Sequence, residues 1–192
     1  QKQADGSLKE LSQKNVDFGG GLERLAATVD NTPDIFKTDL FWPVIEKLEE
    51  ISSQHYGQDE KTTKAMRLIA DHLKASVMIC RDNVLPSNKT QGYVLRRLLR
   101  RSLNSGRQLG LKMGEFPFED LFLRINGIYG DLFPDLAGRK DEIVAIFGTE
   151  GRKFDQAVKA GLKEMYRAEK IDAQTAFYLF ESFGLPFEIT EE

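Results

Sequence analysis

Apolar residues recur at three- and four-residue intervals over most of the chain, a periodicity that places them on single faces of helices. The first such stretch is Leu22, Leu25, Ala26 and Val29, running from about Leu22 to Val29 and stopped by Asp30-Asn31-Thr32-Pro33. Leu40, Phe41, Val44, Ile45, Leu48 and Ile51 make a second, with Thr38 or Asp39 as its cap and an end before Gly57. Thr62 or Thr63 opens a long helix to about Cys80, with Met66, Ile69, Leu73, Val77 and Cys80 along one stripe. A loop from Arg81 to Asn88 leads to another from about Gln91 to Leu109. Further helices are expected near 116–129, 138–168 and 172–183, with a link at Glu169-Lys170-Ile171-Asp172. Strand content is confined to the start: after a polar segment with an Asp5-Gly6 turn signal, Asn15-Val16-Asp17-Phe18 reads as a short strand cut off by Gly19-Gly20-Gly21. The fold class is mainly all-α.

Composition fits a folded chain. The 192 residues are 41% hydrophobic and 30% charged, enough to bury a core and stay in solution. The chain holds no apolar run long enough to span a membrane, and its first residues do not read as a signal peptide, so the expected setting is cytoplasmic, with no membrane partner. One cysteine, Cys80, and two separated histidines, His55 and His72, cannot build a zinc site or a disulfide framework, so no metal is expected.

The net charge of −3, from 27 basic and 30 acidic side chains, taken alone argues against nucleic-acid binding. The distribution argues the other way. Between Asn83 and Gly114 there is no Asp or Glu, while Lys89, Arg96, Arg97, Arg100, Arg101, Arg107 and Lys112 all fall there. In Val94-Leu95-Arg96-Arg97-Leu98-Leu99-Arg100-Arg101-Ser102-Leu103 the apolar pairs and arginine pairs alternate. At about 100° per residue, Val94, Leu95, Leu98, Leu99 and Leu103 share one side of a helix and the four arginines the other. Arginine's planar fork matches phosphate oxygens, and the row has no acidic partner one turn away, so phosphate contact is favoured over a merely solvated face. Asn88, just before the row in Pro86-Ser87-Asn88, reads on its own as a helix cap or turn residue. Val16-Asp17-Phe18-Gly19-Gly20-Gly21-Leu22-Glu23-Arg24 is a strand, glycine turn and helix start, where a ligand can approach the backbone and Arg24 can stack on a base or reach a phosphate.

These blocks resemble a known family. Asn15 to Ala27 resembles the third signature motif of class II aminoacyl-tRNA synthetases in its alanyl form. Ile69-Ala70-Asp71-His72-Leu73-Lys74-Ala75, Leu85-Pro86-Ser87-Asn88 and Gly92-Tyr93-Val94-Leu95-Arg96-Arg97-Leu98-Leu99-Arg100-Arg101 look like successive blocks of the middle domain of the alanyl-tRNA synthetases. Thr175-Ala176-Phe177-Tyr178-Leu179-Phe180-Glu181-Ser182-Phe183-Gly184-Leu185-Pro186 looks like the block that closes it.

The resemblance implies a strand-turn-helix remnant of a class II antiparallel catalytic domain at 1–30 and a helical tRNA acceptor-stem recognition domain at 31–192. It implies that Asp17 binds the amino group of alanine, that the turn from Gly19 to Gly21 shapes the alanine pocket, and that Arg24 holds ATP. It further implies that Asn88 reads a G·U wobble pair from the minor groove of the alanine tRNA acceptor stem. Glu181 stands where the family has an aspartate contacting the same pair. ATP with Mg would serve the full enzyme and none is expected on this piece, while the family's zinc site lies outside the chain. Without the first two class II motifs the piece alone is expected to be catalytically incompetent. Two readings remain beside this one, a non-catalytic helical nucleic-acid-binding module and a structural helical adaptor.

Overall fold

A computed structural model describes residues 2–10, 13, 19–168 and 170–191, apart from the side chain of Glu188. The strand expected at Asn15–Phe18, and Asp17 with it, lies outside the described residues. The chain separates into two compact units, residues 1–38 and 39–192.

In the first unit the Asp5-Gly6 signal forms a tight turn. The Gln3 amide donates to the Ser7 carbonyl at 2.8 Å, Gly6 takes the left-handed φ of 85° that favours glycine, and Lys2 and Leu8 pair as an isolated antiparallel bridge. Helix α1, Leu22–Val29, has the expected bounds, but it buries only Ala27 and leaves Leu22, Leu25 and Val29 exposed. A 3₁₀ turn follows at Ile35–Lys37, capped by the Asp34 carboxylate, which accepts from the Phe36 amide at 3.1 Å. The Thr38 hydroxyl donates to the Ile35 carbonyl at 2.6 Å, closing this turn. The expected capping role of Thr38 or Asp39 is therefore corrected.

The second unit holds seven α-helices among its described residues: α2 (Trp42–Ser52), α3 (Glu60–Arg81), α4 (Thr90–Gln108), α5 (Phe118–Tyr129), α6 (Lys140–Met165), α7 (Ala173–Phe183) and α8 (Phe187–Glu191). Helix α2 starts at Phe41 without a side-chain cap, and Pro43 supplies the preset φ of a first turn instead. Helix α3 starts two residues before Thr62, because Asp59 caps it, accepting from the Thr62 amide at 2.7 Å. A carboxylate suits the positive end of the helix dipole better than a hydroxyl does. The Thr62 hydroxyl joins Asp59 and Gln54 instead.

Helices α3 and α4 pack against each other most extensively, with Ser76, Ser102, Ser105 and Gly106 all buried. Small side chains let the backbones approach. Helix α6 packs on α4, α5 and α7, and Phe41, Phe122, Phe147 and Phe154 fill the core. Cys80 is buried on α3, and that burial pushes its thiol pKa up to about 12. At neutral pH it is a protonated packing group rather than a nucleophile.

A close approach on the other side of α4 supplies a test of the packing. A Cβ on Gly106 would lie 2.4 Å from the Phe116 ring, which is held by Phe118 at a ring-centroid distance of 4.7 Å. Helix propensity alone makes Gly→Ala favourable by about 1 kcal/mol, while overpacking costs about 1–3 kcal/mol. Because Phe116 is buried and its ring lies against Phe118, Gly106→Ala is expected to lower the denaturation midpoint with the slope of the transition unchanged.

Candidate nucleic-acid interface

The loop before α4 is fastened at both ends. At its start Arg81 grips the Asp135 carboxylate, with Nε to Oδ2 at 2.9 Å and Nη2 to Oδ1 at 2.9 Å, and Arg139 donates to the Arg81 carbonyl. At its finish the Ser87 amide donates to the Gly92 carbonyl at 3.0 Å and the Ser87 hydroxyl to the Lys89 carbonyl at 2.9 Å. A Cβ at Gly92 would fall 2.3 Å from Ser87 Oγ and 2.4 Å from the Leu85 carbonyl oxygen, so only glycine lets the loop lie on the first turn of α4. Lys89 is the N-cap residue and makes no side-chain capping bond. Asn88, exposed, is not a cap either: its Oδ1 accepts a hydrogen bond from Arg96 Nη1.

The four arginines divide into two pairs. The buried ridge of α4 is Leu95, Leu99 and Leu103 with Ser102 and Gly106, while Val94 is 49% exposed. Expecting Val94 on the packed face and all four arginines on the opposite one is thus corrected. The ridge is turned toward the arginines, so Arg96 and Arg100 lie at its border and face α6. There they meet Glu150, only 3% exposed, with Arg96 Nε at 3.3 Å and Arg100 Nε at 2.8 Å from the same carboxylate oxygen. The Arg100 guanidinium also lies 5.3 Å from the centre of the Phe154 ring, a cation–π contact. Arg97 and Arg101 point outward, both exposed, and among the described residues neither makes an ion pair. Asp71 on α3 has its pKa lowered by a hydrogen bond with His72 at 2.9 Å, with the charges of Lys74 and Arg101 adding to the effect.

Glu150 was not singled out by its sequence neighbourhood, yet a signal exists. It falls in the apolar row of α6, Ile143, Phe147, Glu150, Phe154 and Val158. A carboxylate in such a row needs cations arriving from another helix.

Helix α7 reaches the same arginines from the C-terminal side. Gly184, its left-handed C-cap at φ 65°, sits so that a Cβ would lie 3.4 Å from Arg100 Nη1, and Leu185 packs on Gly161 of α6. Glu181, three residues before Gly184, is exposed. A groove of about 520 Å³ between α7 and α8, lined by Ile171, Ala176, Phe177 and Phe187 with Asp172 and Glu191, is apolar and acidic rather than phosphate-binding.

In the first unit Arg24 is exposed, and Gly21 has an ordinary φ of −78° with only the Arg24 side chain near its missing Cβ. Nothing lies within 4 Å of a Cβ on Gly19. Local packing does not require glycine at either position. Among the described residues no group of His, Cys, Asp and Glu is placed to hold a metal, and no helix is long and apolar enough to cross a membrane.

All of residues 1–192 match the sequence profile of the family described as tRNA synthetases class II (A). The chain belongs to that family. The alanine–tRNA ligase of Borrelia garinii subsp. bavariensis is 39% identical over 199 residues, covering 100% of this chain and 33% of that protein. Those of Bacillus subtilis and Geobacillus thermodenitrificans are each 37% identical, over 98% of this chain and 22% of each relative. This class II synthetase chain therefore spans between 22% and 33% of the length of these relatives.

The two arginine pairs are expected to differ in their effect on stability. Arg100→Ala leaves Glu150 with Arg96 alone, and an under-paired buried carboxylate costs about 1–3 kcal/mol. Arg97→Ala, on an exposed position, should stay within about 0.5 kcal/mol of the parent. Urea unfolding of the two variants measures the difference directly.

Proposed function

We propose that this chain is part of an alanine–tRNA ligase and that its helical unit binds the acceptor stem of alanine tRNA and reads a G·U wobble pair there. The observation that carries the reading is the bond from Arg96 to Asn88, which joins the candidate base-reading amide to the arginine row. Helix α7 supports it from the other side, because Gly184 abuts Arg100 one turn after Glu181. Asn88 and Glu181 are both exposed, as side chains that reach a groove must be.

Chemistry divides the labour. Arg97 and Arg101 are free to meet phosphates, which supply affinity without sequence information. A minor groove offers few distinguishing groups, and a wobble pair displaces the guanine amino group from its usual cytosine partner. An amide oxygen and a carboxylate are acceptors for that amino group, so Asn88 and Glu181 supply the discrimination. The Asn88 carbonyl oxygen has two lone pairs, one for Arg96 and one for a base.

The family resemblance extends the reading to alanine and ATP in the complete enzyme, in a cytoplasmic setting. There the segment 1–30 completes the catalytic domain: Asp17 holds the alanine amino group, Gly19 and Gly21 leave room for alanine, and Arg24 holds ATP, with Mg supplied alongside the nucleotide. The exposed Arg24 and the open space at Gly19 fit that use. When bound, ATP would activate the alanine carboxylate.

Acceptor-stem duplexes differing only in G·U against G·C test the helical unit. Replacing Arg97 and Arg101 together with Ala should weaken both duplexes alike and flatten the salt dependence by about one unit per lost contact. Asn88→Ala should instead narrow the G·U preference by about 1–3 kcal/mol and leave the salt slope unchanged. Binding by the parent that is equal for both duplexes and insensitive to salt would sink the proposal. In the full-length enzyme, Asp17→Ala should cripple adenylate formation, read by alanine-dependent pyrophosphate exchange, while tRNA affinity is kept.

A further inference from the structure

The geometry points to Glu150 as a positioning residue for the acceptor-stem interface, one that holds Arg96 in the pose that fixes Asn88 and removes one positive charge from the arginine row. The inference rests on the proposed reading of Asn88 and deepens it. Its basis is a continuous chain of contacts across two helices and a loop. Glu150 Oε1 accepts a hydrogen bond from Arg100 Nε at 2.8 Å and lies 3.3 Å from Arg96 Nε as an ion pair without a hydrogen bond, and Arg96 Nη1 donates to Asn88 Oδ1. One guanidinium thus touches a buried carboxylate with one edge and the exposed amide with another.

Arginine alone among the cations can do this, since its donors diverge in a fixed plane. The Glu150 charge draws the Nε side of this guanidinium toward α6, while Nη2 donates to the Pro86 carbonyl at 3.5 Å, which leaves Nη1 for Asn88. The Asn88 oxygen keeps its second lone pair for a base. A carboxylate is not needed to fill space at this position: the row around it is Phe147 and Phe154, and an apolar residue packs there as well as a buried ion pair does. What an apolar residue cannot do is orient Arg96 or offset its charge.

Charge offset has its own consequence for selectivity. Affinity from phosphates is blind to sequence and grows with each free cation. With Glu150 in place, Arg96, Arg100 and Glu150 together carry a net single positive charge instead of two. The nonspecific term is held down while the base-reading amide is held still.

Glu150→Gln keeps the shape and removes the charge, and the experiment uses the 192-residue chain with the G·U and G·C acceptor-stem duplexes over a range of salt. Expected is several-fold tighter binding of both duplexes at low salt, a salt dependence steeper by about one unit, and a fall in G·U preference toward that of Asn88→Ala. In an Asn88→Ala background the same substitution should steepen the salt dependence without altering the preference further. A residue that only braces the fold predicts the reverse sign: both duplexes bound more weakly, with slope and preference kept, and that result overturns the inference. Arg96→Lys guards against a misfolded Gln variant, because lysine keeps the charge but cannot bridge. It should lose preference with the salt dependence intact, and retained preference overturns the inference as well. The Asn88 side-chain amide resonances of the free protein separate this idea from the reading beneath it. They should shift in Glu150→Gln; if they do not, the positioning role fails whatever the RNA does. If they shift while the parent binds no duplex, it is the acceptor-stem reading that fails.

Discussion

The rotation of α4 about its own axis is the constraint on which the rest of this surface depends. Leu95, Leu99 and Leu103 are each fully buried, and a buried leucine contributes about 1.5–3 kcal/mol. An exposed ion pair contributes about 0–1 kcal/mol. The leucines therefore decide which way the helix turns, and the arginines take the positions left over. Extensive packing against α3, with Ser76 and Ser102 both buried, tightens that choice, since a rotated helix would carry larger side chains into the seam.

Once the leucine ridge is fixed, the two arginine pairs acquire different environments from the same sequence repeat. Arg96 and Arg100 fall at the border of the ridge, 20% and 29% exposed, where α6 brings up a carboxylate from its own apolar row. Their stems can cover apolar surface while their heads stay hydrated at one edge. Arg97 and Arg101, one position on, face solvent. Adjacent residues on a helix differ by about 100° in bearing, so an arginine doublet that straddles the border of the buried ridge offers one inward-leaning and one outward-leaning cation.

Helix existence was legible in the sequence nearly everywhere, because long amphipathic stripes such as Met66-Ile69-Leu73-Val77 admit one period. Helix starts were less so. Thr38 and Thr62 both had capping chemistry, but the first closes a preceding 3₁₀ turn and the second lost the position to Asp59. Capping is decided by which acceptor the chain path brings to the free amides, and that path is not written in residue type. The arginine row was visible as a concentration of charge, and Asn88 through family resemblance. Invisible was the division of the row. It comes from Glu150, more than fifty positions away from Arg96 in sequence, and from the leucine ridge lying off-centre among the apolar residues of α4. Val94 and Leu98 look as apolar as Leu95, yet only packing tells which of them faces the core.

The near-neutral net charge is consistent with this arrangement. A strongly basic chain would hold any duplex, and its binding would say little about the base pairs inside. Here acidic residues outnumber basic ones overall, yet none lies between Asn83 and Gly114. Long-range attraction is weak, while short-range contact along α4 is favourable. Screening over about 8–10 Å at physiological salt separates these two regimes. On the proposed reading a duplex is held through phosphates lying against the exposed Arg97 and Arg101, and Arg96, next to Arg97 in the helix, is bonded to Asn88 in the loop before α4. The proposed affinity would then depend on contact made beside the loop that carries Asn88, and in that way a few exposed arginines would serve recognition without overwhelming it.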